Sequence, residues 1–591
     1  MAKIPESYLP PPELRPKRVY TLDEFKNIPQ KFNSTEVLLD QTAASFGDKT
    51  AIYFDEQRIT YKQLQASVNR VANGLKKLGV EEGDRVLMRM PNIPPIIVCN
   101  FAIIKIGGVS LPTSVLFSRS EIAHVANVSE AKVIIVAAVM LGELEAAKAD
   151  LKFAKTIVVV GGDENEVRAK GYVPYADLMK NPDQCEAVKR DRMDVSVLLF
   201  TSGTTGLPKG TAHFMEESLI VADGFGKYCW EVSDKDVIGG PAPLAMAAGY
   251  STVGVIPFRF GAGVSLIGKF DPVSMFKNIQ NHKITIMTAL PTAYRKMLAD
   301  INPKDYDYSS LRFCTGGGEA LTAKTYLDWK AKFGLEIYEG LGTTEMMFVF
   351  ISAAVTKKVK PGPIGTACPG YDVRVVNENF EQVKPGEVGK MIVRGPTGTI
   401  YWKDNDKQKS SVRDGWCLAG DVVTMDEDGY VQFLSREDDL IKSSGARGDR
   451  GGAGDAPVRR RRRRGRSSRP GHRAEDQGVR RAEARRQADR GAEKGARRAL
   501  QGEDRRLQAA AGDRVHRRDA ADRGRQAPAA HPAPAGSRKA EEVRQEGTAQ
   551  RRGIPAGGPG GVMPPGFFWY AEHVRQLGGA SPLPSLMEVK G

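Results

Sequence analysis

The chain has 591 residues, a formal net charge of +15, 41% hydrophobic residues and 27% charged residues. At roughly 100–200 residues per domain, one small core is excluded and about three or four structural units are expected. Its six cysteines (Cys99, Cys185, Cys229, Cys314, Cys368, Cys417) are scattered with no CxxC pair; this argues against a disulfide framework or a zinc site and fits a reducing cytoplasm.

The N-terminal run "MAKIPESYLPPPELRPKR" has no apolar h-region, so no signal peptide is expected. From Thr60, "TYKQLQASVNRVANGLKKLGV" predicts a helix. Thr60 is its N-cap and Gln63 completes a capping box, while Leu64, Val68, Val71, Leu75 and Leu78 share one face. The longest apolar stretch, Ile96 to Leu111, carries Asn100, Lys105 and two glycines. It reads as a buried helix and turn rather than a membrane span. The runs "KVIIVAAV", "TIVVVGG", "VSVLLF" and "ITIMTAL" read as strands separated by helical segments. That alternation predicts an α/β architecture with parallel strands.

Between two such segments lies "LLFTSGTTGLPKGTAHF", residues 198–214. Gly203 and Gly206 leave backbone N–H groups open. Thr201, Ser202, Thr204 and Thr205 add hydroxyls, and Lys209 adds a fixed positive charge. Those are the parts of a triphosphate cradle. It is not a Walker A loop, because Gly210 follows the lysine where Ser or Thr would be needed.

The string TSGTTGLPKG resembles the signature of the adenylate-forming superfamily, the AMP-dependent synthetases and ligases. Further motifs stand in that family's order. "CTGGGEAL" (Cys314 to Leu321) resembles the adenine loop, with Gly317, Gly318 and Glu319 as nucleotide contacts. "YEGLGTTEM" (Tyr338 to Met346) resembles the motif in which Thr344 meets the α-phosphate and Glu345 holds Mg²⁺. "GEVGKMIVRGP" resembles a strand pair of the family. "GWCLAGD" ends in Asp421, which the resemblance assigns to the ribose hydroxyls. "SREDDLIKSSG" supplies Arg436 for the ribose and Asp438 for an interdomain hinge.

The resemblance spans about residues 35 to 445 and is nearest to the benzoate and 2-aminobenzoate CoA ligase type, on "SVNRVANGL", "KGTAHF", "GLGTTEMMFVFISA" and "PGEVGKMIVRGPTGTIYW". One departure is Leu341, where many members carry an aromatic residue that stacks on adenine. The resemblance implies a large multi-layer adenylation body of acyl-CoA synthetase type over 1–435, a hinge at 436–446 and a small C-terminal domain beyond. It implies ATP, Mg²⁺ and coenzyme A, with Lys209, Thr344 and Glu345 catalytic. "PAPLAMAAGY" aligns with the acid pocket, where Ala247 and Ala248 leave space and Tyr250 and Met346 offer flat or soft walls. The implied partners are a small carboxylic acid, ATP and CoA, without nucleic acid or membrane. A homodimer stays open.

After Gly445 the composition changes to Arg, Ala, Gly and Asp, with few large apolar residues until Phe567. As written, 447–591 is expected to be mostly disordered. Its arginines would suit nucleic acid if the segment had been selected as protein. Reverse translation suggests otherwise. Read one base later, the possible codons of Arg525 to Ala535 permit Gly-Lys-Leu-Leu-Arg-Arg-Thr-Leu-Arg-Gln, which contains the Gly-Lys pair that the family carries near its end. Arg469 to Glu483 permits a strand-like run in the same frame. A frameshift near codons 445 to 450 is the expectation, and the positive charge is then a by-product of GC-rich codons.

Overall fold

The computed structural model describes residues 4–201 and 206–437, which fall in one compact unit. Ser202, Gly203, Thr204 and Thr205, the hinge residue Asp438 and the Arg-rich segment lie outside the described residues.

The runs read as strands are strands. Val133–Ala137, Thr156–Val160 and Val195–Thr201 join a seven-stranded sheet, and Ile286–Ala289 joins a nine-stranded one. The first sheet runs, from one edge to the other, 209–214, 195–201, 109–112, 85–89, 133–137, 156–160 and 173–174. All neighbours are parallel except the hairpin formed by the first two strands. The second sheet has a parallel centre from 50–54 to 337–342, with antiparallel strands added at both edges. A five-stranded antiparallel sheet follows, built from 372–376, 389–394, 412–413, 416–425 and 431–436. "GEVGKMIVRGP", read as a strand pair, is instead a turn followed by the single strand Gly389–Arg394, which pairs with 372–376 and 416–425.

Strand alternation sorts side chains into layers. Val86, Met88, Val133 and Ile135 face a core shared with the nine-stranded sheet, whereas Leu87, Ile134 and Val136 face the opposite side. The shared core holds the helices Tyr61–Lys77 and Pro94–Lys105. Other helices cover the outer faces, among them Arg119–Ser129 on the first sheet and Pro272–His282, Pro291–Asp300 and Ala323–Phe333 on the second.

The predicted helix caps itself as expected. Gln63 N–H donates to Thr60 Oγ1 at 3.2 Å, and Thr60 N–H donates to Gln63 Oε1 at 2.9 Å. Leu64, Val68, Val71 and Leu75 are fully buried, each contributing up to about 1.5–3 kcal/mol of transfer free energy. The apolar run after Ile96 is the buried helix and turn read from sequence. Its Lys105 Nζ donates to Asp40 Oδ1 at 2.8 Å and Asn69 Oδ1 at 2.6 Å. Among the described residues no helix is long and apolar enough to cross a membrane.

A buried charge cluster ties the N-terminal segment to the hairpin. Arg18 pairs with Glu216 and Glu217, and its guanidinium also donates to the Pro396 carbonyl at 2.8 Å. Glu217 reaches His213 Nδ1 at 2.7 Å, and the side chains of Glu216, Glu217 and His213 are fully buried.

Candidate functional site

The phosphate-loop candidate lies in sequence between the paired strands 195–201 and 209–214. Thr201 pairs with Lys209, Phe200 with Gly210 and Leu199 with Thr211. Gly210 is required by packing, since a Cβ there would sit 2.9 Å from the Phe200 ring. Gly206 differs: it is exposed, with open space where a Cβ would be. Lys209 keeps its ammonium partly exposed, 3.5 Å from Asp404 Oδ2. The free edge of this hairpin is covered by a segment from the third quarter of the chain. Ala212 N–H donates to the Ile400 carbonyl at 2.8 Å, and Trp402 N–H donates to the Gly210 carbonyl at 2.9 Å.

The second candidate loop leaves the parallel strand Phe313–Gly317. A Cβ on Gly317 would lie 2.9 Å from the Gly340 carbonyl of the neighbouring strand, and Gly318 turns away with φ 78°. Glu319 is exposed and faces the helix Pro291–Asp300, where it accepts from Thr292 N–H at 3.3 Å and Thr292 Oγ1 at 3.2 Å. Glu339 on the adjacent strand is the carboxylate that holds the loop, accepting Leu321 N–H at 2.8 Å. Burial pushes its carboxyl up to about 7.

That strand, Ile337–Gly342, runs into a short 3₁₀ turn, Thr344–Met346, capped by Thr343. Thr344 and Glu345 are half-buried. Glu345 Oε1 accepts the hydroxyl of Tyr401 at 2.7 Å, while Oε2 takes no hydrogen bond from the described residues. Met346 is buried, and its carbonyl accepts from Thr397 Oγ1 at 3.0 Å. The Met347 carbonyl accepts from Ser251 Oγ at 3.1 Å, which ties the helix Ala247–Gly254 to this turn. On that helix Ala247 and Tyr250 are buried in the main core and Ala248 is exposed. Met346 packs in the core of the third sheet and Tyr250 in the main core. An apolar cavity with room for about one water molecule lies beside Phe348 and Val349, lined also by Phe25, Ile220, Phe225 and Tyr371.

Asp421 and Arg436 face each other across the antiparallel pair 416–425/431–436. Arg436 Nη1 donates to Asp421 Oδ1 at 2.6 Å. Asp421 is 2% exposed, and its Oδ2 is buried without a partner among the described residues. Burial raises its carboxyl above the usual range, and Arg436 offsets part of that rise. The charge of Glu345 adds to the rise, so the two carboxylates lie within electrostatic reach.

Tyr401 and Asp404, three residues apart, touch Glu345 and Lys209, and Glu345 lies within electrostatic reach of Asp421, so a partly exposed cation, a half-buried carboxylate and a buried carboxylate with an orphaned oxygen are linked in one region. Such a set suits a polyanion bearing hydroxyls. Among the described residues no three His, Cys, Asp or Glu side chains cluster to hold a metal by themselves. A lone Glu345 with one open oxygen fits Mg²⁺, which binds one or two carboxylates together with substrate phosphates and water. Tyr401, Asp404 and Glu339 were not singled out from sequence. Glu339 stands inside a quoted motif as a carboxylate beside Gly340 on an apolar strand, a signal that was available. Nothing in the spacing joins Tyr401 to Glu345, 56 residues away.

A profile of the AMP-binding enzymes matches residues 39–402. A benzoate–CoA ligase of Thauera aromatica is 29% identical over 424 residues, 71% of this chain and 79% of that protein. A mitochondrial acyl-coenzyme A synthetase of Mus musculus is 30% identical over 446 residues, 72% of this chain and 76% of that protein. Among solved structures, an anthranilate CoA ligase in complex with anthranoyl-AMP superposes with a TM-score of 0.68 at 28% identity. The match covers 71% of this chain and 81% of that one.

Proposed function

Because the chain belongs to the family of AMP-binding enzymes, we propose that it activates a carboxylic acid with ATP and passes the acyl group to coenzyme A. It is an ATP-dependent acid–CoA ligase that releases AMP and pyrophosphate. The observation that carries the nucleotide reading is the orphaned Oδ2 of Asp421: a buried acceptor without a partner costs about 1–3 kcal/mol. A ribose hydroxyl donated to it would recover that cost.

The chemistry follows from the groups at hand. A carboxylate is a poor acyl donor, since its leaving group would be oxide. Attack of its oxygen on the α-phosphorus of ATP breaks the bond to pyrophosphate and forms acyl-AMP. Attack by the thiol of CoA then forms the thioester and releases AMP. Lys209 with residues 201–206 orients the β- and γ-phosphates, and Thr344 faces the α-phosphate. Glu345 would hold Mg²⁺, which supplies charge neutralisation at the phosphates when bound. Gly317, Gly318 and Glu339 shape the adenine slot, with Glu319 anchoring its outer wall. Asp421 and Arg436 take the ribose.

For the acid we infer an aromatic carboxylate of the benzoate or 2-aminobenzoate type. Likeness to a benzoate–CoA ligase and an anthranilate CoA ligase supports it. A second reading, a short- or medium-chain acyl substrate, draws on the equal likeness to mitochondrial acyl-coenzyme A synthetases. Acid-dependent ATP–pyrophosphate exchange with benzoate, 2-aminobenzoate, acetate and hexanoate separates them. Exchange confined to aliphatic acids defeats the aromatic assignment.

The segment 447–591 is read as an out-of-frame stretch standing where the small domain belongs, with no nucleic-acid role. The chain as written then binds ATP and acid, adenylates slowly and transfers little to CoA. Sequencing the coding DNA from Ser443 to Arg466 separates the two origins: a lost or gained base that restores the Gly-Lys segment makes the shift a reading error and the protein a full ligase, whereas DNA that matches the protein makes the chain an adenylation body without that segment. We also propose a reducing, cytoplasmic location, which the free cysteines fit.

A further inference from the structure

The segment Ile400–Asp404 touches both charged groups of the phosphate site, although the sequence assigns it no role. Its backbone is pinned on two sides. It pairs with the hairpin through Ala212 and Trp402, and Tyr401 N–H donates to Gln408 Oε1 at 2.9 Å. Gln408 is fully buried and donates in turn to the Thr399 and Leu14 carbonyls, both at 2.9 Å. From this frame the Tyr401 side chain, 4% exposed, gives its hydroxyl to Glu345 Oε1. Asp404 fixes its own Oδ1 on Lys407 N–H at 2.9 Å and leaves Oδ2 for Lys209 at 3.5 Å.

We propose that Tyr401 is the positioning residue for Glu345, and that Asp404 is the resting counter-ion of Lys209, displaced when a triphosphate arrives. The inference rests on the nucleotide reading above. A carboxylate with one oxygen held by a buried hydroxyl presents the other in a fixed direction, the arrangement that outer partners of metal-binding carboxylates supply. The Lys209–Asp404 pair differs. It is long and both side chains are partly exposed, 42% and 33%. A pair of that kind is weak enough to yield to phosphate.

The test is ATP binding by the full-length chain, measured calorimetrically with excess EDTA and with Mg²⁺, alongside Mn²⁺ binding in the presence of ATP followed by electron paramagnetic resonance. Tyr401→Phe keeps the ring and removes the donor. It should lower the Mg²⁺-dependent gain in ATP affinity about 10-fold, weaken Mn²⁺ binding similarly, and leave affinity in EDTA unchanged. Asp404→Asn keeps the helix cap and should tighten ATP binding in both conditions, by up to about 5-fold. Tyr401→Phe combined with Glu345→Gln should be no worse than Glu345→Gln alone. Equal losses with and without Mg²⁺ in Tyr401→Phe would mean a merely structural role and overturn the assignment, as would no loss at all. Weaker ATP binding in Asp404→Asn overturns the counter-ion role. If Glu345→Gln and Lys209→Met themselves leave ATP binding intact, the nucleotide reading falls and takes this one with it.

Discussion

Asp421→Asn separates binding from stability more cleanly than any other change in the site. The carboxylate has one oxygen on Arg436 and one buried with no donor. A hydrogen bond to a charged acceptor contributes about 1.5–3 kcal/mol, so exchanging it for an amide should weaken ATP binding by about 10- to 150-fold. Stability should move the other way. Burial raises the folded-state pKa of Asp421 above its unfolded value, so the native state binds the proton more tightly than the unfolded chain. Stability therefore falls as pH rises from the unfolded value through the raised one. Above that window the wild type carries the full penalty and the asparagine does not. Arg436 limits what is lost on neutralisation, because its side chain is 52% exposed and keeps its hydration. The variant should thus melt at or slightly above wild type near pH 7 without nucleotide, while its shift on adding ATP shrinks. Differential scanning fluorimetry with and without ATP, together with calorimetric titration, reads both quantities. Unchanged ATP affinity in a variant that melts lower would refute the reasoning, since Asp421 would then be a structural acid.

Glu339 should confer a second pH dependence. With its carboxyl pushed up to about 7 by burial, stability should fall by up to about 3 kcal/mol as pH rises from about 4.5 to about 7, and Glu339→Gln should flatten that slope in urea titrations at pH 5 and 8. Glu217→Gln removes the negative charge that Arg18 pairs with and turns one of the two acceptor oxygens, on Arg18 and His213, into a donor, all in a fully buried cluster; a loss of about 3–5 kcal/mol in urea unfolding is expected. Gly317→Ala forces a Cβ against the Gly340 carbonyl at 2.9 Å. It should cost at least about 10-fold in ATP affinity with little change in secondary structure by circular dichroism, since a small displacement at a binding site carries such losses.

Legibility from sequence followed the range of the interaction. The cap at Thr60 and Gln63, the helix face from Leu64 to Leu75 and the strand runs are local patterns, and each is where the periodicity put it. Gly317 and Gly318 were legible because close approach and a positive φ leave a residue type behind, whereas Gly206 has open space around it. Tyr401 and Glu345 meet only because the Ile400–Trp402 segment closes the hairpin edge, a fact of tertiary assembly with no local signature. Tyr250 shows the opposite limit. An aromatic beside small residues reads as a pocket wall, but it is fully enclosed in the main core, where Asn100 and Ser218 lie against its hydroxyl. Glu319 stands in a nucleotide motif, and its partly exposed carboxylate reaches Thr292 and, at 3.8 Å, Arg295.

The closing of that hairpin edge also orders assembly in time. The strand carrying Lys209 is the edge of its sheet until residues 400–402 arrive from much later in the chain. During synthesis it stands as an unpaired edge, open to pairing with other chains. A ribosome that stalls or a protease that cuts before residue 400 would leave such an edge exposed. Once residue 437 has emerged, every described contact to Lys209 and Glu345 is available, whatever reading frame follows.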